Sequence, residues 1–311
     1  MASEGVATAK SSPEVLLAYV LVFFAVVAWG GSFVAARMVL YNEAAPAQTL
    51  SPTLLATVRF ALAGAAFLPV LVHHLWLRRL SMVDVLALAL LGQIAISVYF
   101  WLQYTGVKYT AAGVASILVV GLIPVSTAVV SRFLAGEPFG RSKLLGLLLG
   151  FGGLVLIVVE KDIRVAAETG YLLGVICLIA NAFCFALYSA LSKRFMRRHS
   201  SLVTTAGITC WGALGLLVIS AVTDDWSSLW GLSSLQWWAI LYLAAVCSVL
   251  AYFFYNYALT KVEAGRAASW VFLEPVVAVV LGVLLLHEIV SLQVLLGSLA
   301  ILGGVVVITR G

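Results

Sequence analysis

The stretch YFWLQY at residues 99–104 recurs as YFFYNY at residues 252–257, 153 positions farther along the chain. Each copy is followed by a lysine at the same distance, Lys108 in the first case and Lys261 in the second. Both copies lie inside long apolar segments. A similar stretch repeated at so long a spacing indicates a chain built from two related halves.

Further residues extend the repeat. Behind both aromatic stretches follow, in the same order, an Ala-Ser pair, a proline, a glutamate and a Gly-Gly pair. These are Ala115-Ser116, Pro124, Glu137 and Gly152-Gly153 in the first half, and Ala268-Ser269, Pro275, Glu288 and Gly303-Gly304 in the second. The offset falls from 153 to 151 between the serines and the prolines, so one short gap aligns about half of each copy.

The composition excludes a soluble protein. Hydrophobic residues make up 63% of the 311 residues, charged residues make up 10%, and the mean hydropathy is +1.12, whereas a soluble domain is about 45–50% apolar and about 25% charged. The apolar runs are too long and continuous for membrane strands, and each has the roughly 20 residues that a helical crossing needs. We predict an all-α integral membrane protein with ten transmembrane helices, at residues 16–39, 52–76, 83–104, 111–134, 142–160, 170–193, 201–222, 235–258, 265–286 and 290–309.

Lysines and arginines between the predicted helices set their direction across the membrane. With the N-terminus inside, thirteen of the 18 lie on the inner side and four on the outer side, while Arg59 lies within a helix. Both termini are therefore predicted to be inside (N-in, C-in). Five helices per half is an odd number, so the halves would cross in opposite directions as an inverted repeat. The predicted organisation is a disordered cytoplasmic tail at 1–15, a first repeat at 16–160 and a second repeat at 170–309.

Motifs along nearly the whole chain are similar to those of a known family. They are Trp29-Gly30 in helix 1, Arg59-Phe60 in helix 2, the two Pro-then-Glu pairs, and the paired glycines of helices 5 and 10. On these residues the chain is identified as a member of the drug/metabolite transporter superfamily, in its EamA-type ten-helix branch. Its aromatic helices 3 and 8 resemble those of the YddG-type amino-acid exporters.

This resemblance implies a multi-pass transporter of the bacterial inner membrane. It implies the export of neutral or aromatic amino acids and related metabolites, by alternating access through a central cavity that helices 1, 3, 6, 8 and 9 contact. The small four-helix members of the superfamily carry a glutamate in helix 1 that exchanges protons for drug. Helix 1 of this chain holds no acidic residue, so their proton-coupling scheme is not implied here.

Polar side chains within the apolar helices are candidates for binding the substrate. Tyr99 and Gln103 are four residues apart and share one helical face, as do Tyr252 and Asn256. Such groups cost free energy in lipid, so these faces either line a cavity or pack between helices. In a cavity, their hydroxyls and amides would supply directional hydrogen bonds to an amino acid, and their rings would supply apolar contact.

Three tryptophans and two charged residues complete the predicted binding site. Trp29, Trp101 and Trp270 would line the cavity, or else pack against lipid and neighbouring helices. Glu274 lies near the centre of helix 9, where it would bind a substrate amine or take up a proton. The alternative is a fixed partner for Arg59 or for nearby backbone donors. Arg59 would bind a substrate carboxylate through two parallel hydrogen bonds, or else snorkel outward or pin helices together.

Prolines and glutamates at equivalent positions of the two halves are candidates for hinges and for helix caps. Pro124 and Pro275 interrupt helices 4 and 9 at matching points, and we predict that they are hinges of the transport motion. The alternative is a pair of kinks that only widen the cavity. Glu137 and Glu288 each end a helix, and we predict that each caps the N-terminus of the helix that follows.

Other functional classes lack the residues they need. The four histidines lie at helix ends or in loops without partners at metal-ligand spacing, so no metal, cofactor or enzymatic activity is predicted. A nucleotide-sugar carrier would need several cavity cations for phosphate, and Arg59 alone is embedded. A passive channel is less consistent with paired kinks in an inverted repeat. The runner-up is a multidrug or organic-cation exporter with Glu274 as the cation site.

The expected partners are a small-molecule substrate and the lipid bilayer. The net charge of +5 comes from loop lysines and arginines, so no nucleic-acid partner is predicted. Glycines spaced by three or four residues in helix 5, at positions 146, 150 and 153, favour close helix packing. We expect a monomer, with a homodimer through these glycines as the alternative.

Overall fold

The structure is a computed structural model, and it describes residues 13–40, 49–110, 117–159, 170–286 and 291–310. Within these ranges the chain is almost entirely helical and contains no strand. We label the helices in chain order as α1 (Pro13–Leu40), α2 (Pro52–Trp76), α3 (Met82–Tyr109), α4 (Leu118–Leu134), α5 (Arg141–Val159), α6 (Tyr171–Phe195), α7 (Ser201–Thr223), α8 (Ser234–Leu259), α9 (Ala264–Ser269, Trp270–Phe272 and Leu273–Leu286) and α10 (Leu292–Arg310). A 3-10 turn at Trp226–Gly231 precedes α8.

Eight of the described helices, α1 to α3 and α6 to α10, are long and apolar enough to cross a membrane. The prediction of an all-helical, multi-pass membrane protein is therefore confirmed for the described residues. The count of ten crossings and the N-in, C-in orientation stay predictions. The N-terminal tail falls outside the described residues up to position 12, and the helix α1 begins at Pro13, three residues before the predicted start.

Serine caps define where several helices begin. The Ser51 hydroxyl accepts the backbone N–H of Leu54 at 3.0 Å, and Pro52 occupies the first position of α2. The helices α3 and α8 each begin with a reciprocal capping box, Ser81 with Asp84 and Ser233 with Gln236. The same capping device at matching positions of the two halves fixes the start of the two helices that carry the aromatic repeat.

Equivalent helices of the two halves pack antiparallel. A Cβ atom added at Gly146 would lie 2.6 Å from the carbonyl oxygen of Gly304, and one added at Gly153 would lie 2.5 Å from that of Gly297. Because the repeat matches Gly146 to Gly297 and Gly153 to Gly304, the two contacts are related by a two-fold axis perpendicular to α5 and α10. These glycines of α5 therefore serve close packing against α10, as the sequence predicted, while the oligomeric state stays a prediction.

The same two-fold relation governs the rest of the packing. The helix α2 packs against its equivalent α7, and α4 packs against its equivalent α9. The contact of α3 with α6 is repeated by that of α8 with α1, and the contact of α4 with α6 is repeated by that of α9 with α1. The two halves are thus interleaved rather than side by side, which leaves the middle of the molecule between helices of both.

The helices α3 and α8 are locally widened just before their aromatic stretches. Residues Gln93–Val98 of α3 and Leu243–Leu250 of α8 form π-helical segments at overlapping positions of the repeat. Such wide turns occur frequently at functional sites, because they redirect side chains and backbone groups. In α3, the Ser97 hydroxyl donates to the carbonyl oxygen of Gly212 on α7 at 2.9 Å.

Both predicted hinge prolines follow irregular turns. Pro124 is the third residue of the regular helix Leu122–Leu134, behind a π-helical turn at Ile117–Gly121. Pro275 is the third residue of Leu273–Leu286, behind the 3-10 turn at Trp270–Phe272. The interruption of α4 and α9 at matching points is therefore present in the structure, while the hinge role stays a prediction.

Candidate functional site

A cavity of about 1020 Å³ lies between the two halves. Its walls come from α1, α2, α3, α4, α6, α7, α8 and α9, which includes all five helices predicted to contact it and adds α2, α4 and α7. Leu40, Pro52, Lys108 and Asp224 line the mouth, where α1, α3 and α7 end and α2 begins. These are the helix ends that the charge pattern assigns to the outer side of the membrane.

Aromatic rings form the floor of the cavity. The Trp29 ring lies 5.6 Å from the Tyr252 ring and 6.3 Å from the Phe185 ring, measured between centroids. Below them, Tyr188 and Tyr255 pack against the same rings and are fully buried. The indole N–H of Trp29 donates to the carbonyl oxygen of Cys247 at 3.0 Å, which ties α1 of the first half to α8 of the second.

Arg59 presents a charged side chain to the cavity from α2. It is 7% exposed, and its Nε donates to the Ser248 hydroxyl at 2.8 Å. The guanidinium carbon lies 4.9 Å from the Phe60 ring centroid and 5.2 Å from the Phe100 ring centroid. Among the described residues, no carboxylate lies within ion-pair distance of Arg59, and its two terminal nitrogens have no hydrogen-bond partner. Those two nitrogens are available to a ligand.

Glu274 presents a carboxylate to the same cavity from α9. It is 9% exposed, and within the described part of the chain it makes neither a hydrogen bond nor an ion pair. The alternative of a fixed Arg59–Glu274 pair is therefore not what the structure has. Glu274 lies in the first turn of the regular helix Leu273–Leu286, where the helix dipole favours negative charge. In the interior of the cavity, away from Lys108 and Asp224 at the mouth, the described residues thus present one guanidinium and one carboxyl group without an ion-pair partner.

Of the nine residues predicted to bind substrate, the structure brings seven together on the cavity wall. They are Trp29, Arg59, Tyr99, Trp101, Gln103, Tyr252 and Glu274. Tyr99 is buried against Phe185 and Phe100, whereas Trp101 is 46% exposed. The side-chain oxygen Oε1 of Gln103 is buried without a hydrogen-bond partner among the described residues.

The other two predicted residues lie outside the cavity. Asn256 is fully buried one turn beyond Tyr252, and its amide donates to the Thr205 hydroxyl at 3.0 Å. Tyr252 and Asn256 share one face of α8, but the cavity ends at Tyr252. Asn256 therefore lies in packed protein. Trp270 stacks on Tyr19 of α1 with ring centroids 5.7 Å apart and does not line the cavity. Neither Asn256 nor Trp270 contacts the cavity in this conformation, and their role in substrate binding stays a prediction.

Comparisons with known proteins identify the family. The model of the EamA-like transporter family matches the chain twice, over residues 16–159 and 172–310. This chain belongs to the EamA-like transporter family. It is therefore a multi-pass membrane transporter, and the two matched segments correspond to the repeat seen in the sequence.

Relatives of this EamA-like transporter are themselves named as transporters. The chain is 29% identical over 254 residues to the uncharacterized transporter YyaM of Bacillus subtilis, which covers 81% of this chain and 83% of that protein. It is 26% identical over 294 residues to an uncharacterized transporter of Archaeoglobus fulgidus, covering 94% and 98% respectively. A crystal structure of a protein 22% identical superimposes with a TM-score of 0.77, over 93% of this chain and 95% of the other, which shows the fold alone.

Sequence reasoning missed two contributors to the site of this EamA-like transporter. Phe185 on α6 contacts Trp29 and Tyr99 from a helix that carries no repeated aromatic motif. Ser248 on α8 holds Arg59, yet its counterpart in the repeat is Ala95, so the repeat does not single it out. A lone serine in an apolar segment carries no sequence signal of its role.

At the opposite end from the cavity mouth, Glu137 joins the halves of the transporter. Its carboxylate accepts the backbone N–H groups of Ala264 at 2.6 Å and Gly265 at 3.1 Å, and the ammonium group of Lys193 at 2.9 Å. The prediction that Glu137 caps the following helix, α5, is wrong: it caps α9 of the other half. Chain proximity suggested α5, but the interleaved packing brings the start of α9 to the carboxylate. Glu288 lies outside the described residues.

Three more charged residues surround Glu137. Lys143 of α5 lies 2.8 Å from the carboxylate of Glu263 and also donates to the carbonyl oxygen of Pro138 at 2.7 Å. Lys193 additionally donates to the carbonyl oxygen of Val262 at 2.6 Å. We call Glu137, Lys143, Lys193 and Glu263 the cross-half cluster, because each of its ion pairs links the first half to the second. None of these four residues lines the cavity.

Proposed function

We propose that this transporter exports neutral and aromatic amino acids, and related metabolites, by alternating access through the central cavity. The single observation that carries the proposal is that the Arg59 guanidinium and the Glu274 carboxyl group, both without an ion-pair partner among the described residues, lie on the wall of one cavity lined with aromatic rings. Buried charges without partners are costly, so their presence in a membrane transporter favours a ligand that completes them.

A zwitterion matches both charges. The two free terminal nitrogens of Arg59 have the geometry to receive a carboxylate bidentately. Glu274 would receive the ammonium group of the same solute. An α-amino acid carries both groups on one carbon, and an apolar or aromatic side chain would then pack on rings such as those of Tyr99, Phe100 and Trp101.

Alternating access is supported by the asymmetry between the two ends of the molecule. The cavity opens where α1, α3 and α7 end, while the cross-half cluster ties α4–α5 to α6 and α9 at the opposite end. Two halves related by an axis perpendicular to the helices can exchange their conformations, which would open the clustered end and close the mouth. With the predicted N-in orientation, the conformation described here is open to the outside of an inner membrane.

The second candidate is an exporter of multiple drugs or organic cations. A carboxyl group on the wall of a cavity lined with aromatic rings, as Glu274 is, favours the binding of a lipophilic cation. Arg59 counts against this reading, because a second cation entering the cavity would meet its unpaired guanidinium. The charge of the transported solute therefore separates the two candidates.

Counterflow in proteoliposomes tests the proposal. Vesicles preloaded with unlabelled threonine, methionine, phenylalanine or tryptophan are supplied with the labelled solute outside. We expect accumulation with at least one of these, and its loss in Glu274→Gln and in Arg59→Gln. The matched controls Glu14→Gln and Arg132→Gln remove the same groups from exposed positions and should retain uptake. No counterflow of amino acids together with uptake of a lipophilic cation would refute the proposal in favour of the second candidate.

A further inference from the structure

Resting on the proposed function, we propose that Ser248 is a positioning residue that orients Arg59 and thereby makes the site selective for solutes with a carboxylate. Ser248 is fully buried on α8, in the other half of the chain from Arg59. Its hydroxyl oxygen accepts the Arg59 Nε–H at 2.8 Å. It is the one hydrogen-bond partner of that guanidinium among the described residues.

The hydroxyl of Ser248 is itself held in one orientation. Its proton goes to the carbonyl oxygen of Leu243, five residues earlier, at 2.9 Å. In a regular helix, a serine hydroxyl bonds to a carbonyl three or four residues earlier, so this contact depends on the wide turns of the segment Leu243–Leu250. With the proton committed to Leu243, a lone pair of the hydroxyl is left for Arg59. The π-helical segment thus builds an acceptor where an apolar helix would have none.

Three contacts together restrain the guanidinium plane. The bond to Ser248 fixes one edge, and the rings of Phe60 and Phe100 lie 4.9 and 5.2 Å from the central carbon. The outer edge of the guanidinium, which carries the two terminal nitrogens, is then held in one orientation. Bidentate recognition of a carboxylate depends on that orientation, because both N–H groups must point at the two oxygens at once.

A structural role makes a different prediction. If Ser248 only pinned α8 to α2, its loss would weaken transport of every solute in proportion. If Ser248 positions Arg59, its loss weakens recognition of the carboxylate and leaves recognition of the amine at Glu274 nearly unchanged. Three solutes of similar shape separate these outcomes: phenylalanine with both charges, phenethylamine with the amine alone, and 3-phenylpropionate with the carboxylate alone.

The variants are Ser248→Ala, Ser248→Thr and the matched control Ser97→Ala. Ser97 is equally buried in the π-helical segment of α3, but its hydroxyl binds the carbonyl oxygen of Gly212 and does not touch a charged residue. The measurements are the KM for phenylalanine counterflow and the inhibition constants of the other two solutes. Ser248→Ala should raise the phenylalanine KM and the phenylpropionate constant by about 10- to 100-fold, with less than about threefold change for phenethylamine. Ser248→Thr, which keeps the hydroxyl, should stay close to the parent.

Two results would overturn the inference while leaving the proposed function intact. One is an unchanged phenylalanine KM in Ser248→Ala, and the other is an equal weakening of all three solutes. If Ser248→Ala does not reach the membrane, Ser248→Cys takes its place, because cysteine keeps the size of the side chain and offers only a weak acceptor. The same changes in KM and inhibition constants are expected for it. Absence of counterflow by the unmodified protein with threonine, methionine, phenylalanine and tryptophan alike would overturn the proposed function and this inference together.

Discussion

Replacing Glu137 by glutamine keeps the size of the side chain but removes its charge from the cross-half cluster. In the conformation described here, this carboxylate accepts two backbone N–H groups of α9 and the ammonium group of Lys193. A glutamine oxygen still accepts from α9, whereas the attraction to Lys193 and the charge assistance of the remaining bonds are lost. These contacts bridge the halves and must separate when that end of the molecule opens. Glu137→Gln is therefore expected to favour the conformation whose mouth is closed.

The size of the shift follows from the contacts. A hydrogen bond to a charged group contributes about 1.5–3 kcal/mol. The side chain of Lys193 is 21% exposed while that of Glu137 is 5% exposed, so solvent screens part of the pair and the lower half of that range applies to it. With the weakened bonds to α9, the total is about 3 kcal/mol, or a shift of roughly 100-fold in the equilibrium. A protein that starts with about 91% of molecules open at the mouth would fall to about 9%.

Cysteine accessibility at the mouth measures this shift. Val107 lines the cavity near its mouth and is 43% exposed, so Val107→Cys reports the open mouth through its reaction rate with a membrane-impermeant maleimide. The rate should fall about tenfold when Glu137→Gln is added. Protein with only its four native cysteines provides the background rate.

The matched control is Glu14→Gln, which removes the carboxylate of another Glu–Lys pair. Glu14 lies 2.7 Å from Lys261, but its side chain is 66% exposed and outside the cross-half cluster. It should leave the labelling rate of Val107→Cys unchanged. Equal labelling rates in Glu137→Gln, Glu14→Gln and the Val107→Cys parent would refute the reasoning that the cluster stabilises the open-mouth conformation.

Two further predictions concern the packing of α5 and the charge geometry of the cavity. Gly153→Ala places a methyl group 2.5 Å from the carbonyl oxygen of Gly297, so we expect a loss of about 1–3 kcal/mol of stability in thermal unfolding. The neighbouring Gly152→Ala meets nothing within 4 Å and should be neutral or slightly stabilising; equal losses in both would contradict the tight α5–α10 contact. Arg59→Lys keeps the charge but loses the planar fork, so the phenylalanine KM should rise about tenfold or more in counterflow assays. An unchanged KM would mean that charge alone is sufficient.

The helices and the pairing of the halves were predictable because they follow from local signals. Apolar runs of membrane length predicted the long helices, and a repeat with few gaps predicted which helices are equivalent. The glycines of α5 predicted close packing, and α10 lies against them. The partner of Glu137 was not predictable in this way, because the helix whose start it caps, α9, begins more than a hundred residues farther along the chain.

The site was predictable where chemistry in the membrane is unusual. Arg59 and Glu274 stand out as charges within apolar helices, and both line the cavity. The missed residues have side chains that are ordinary in such helices. Ser248 owes its role to the π-helical widening of α8, which no local pattern of residues indicates. Asn256 was predicted to bind substrate because it shares a helical face with Tyr252, but the cavity ends one turn before it.

The central claim is that Arg59 and Glu274 recognise the two charges of one solute. The most direct measurement compares phenylalanine, phenethylamine and 3-phenylpropionate as inhibitors of counterflow, or as ligands by thermal shift, in the parent, Arg59→Gln and Glu274→Gln. The parent should prefer phenylalanine over both analogues, Arg59→Gln should prefer the amine, and Glu274→Gln should prefer the carboxylate. A parent that binds phenethylamine more tightly than phenylalanine, or variants whose order of preference does not change, would contradict the account.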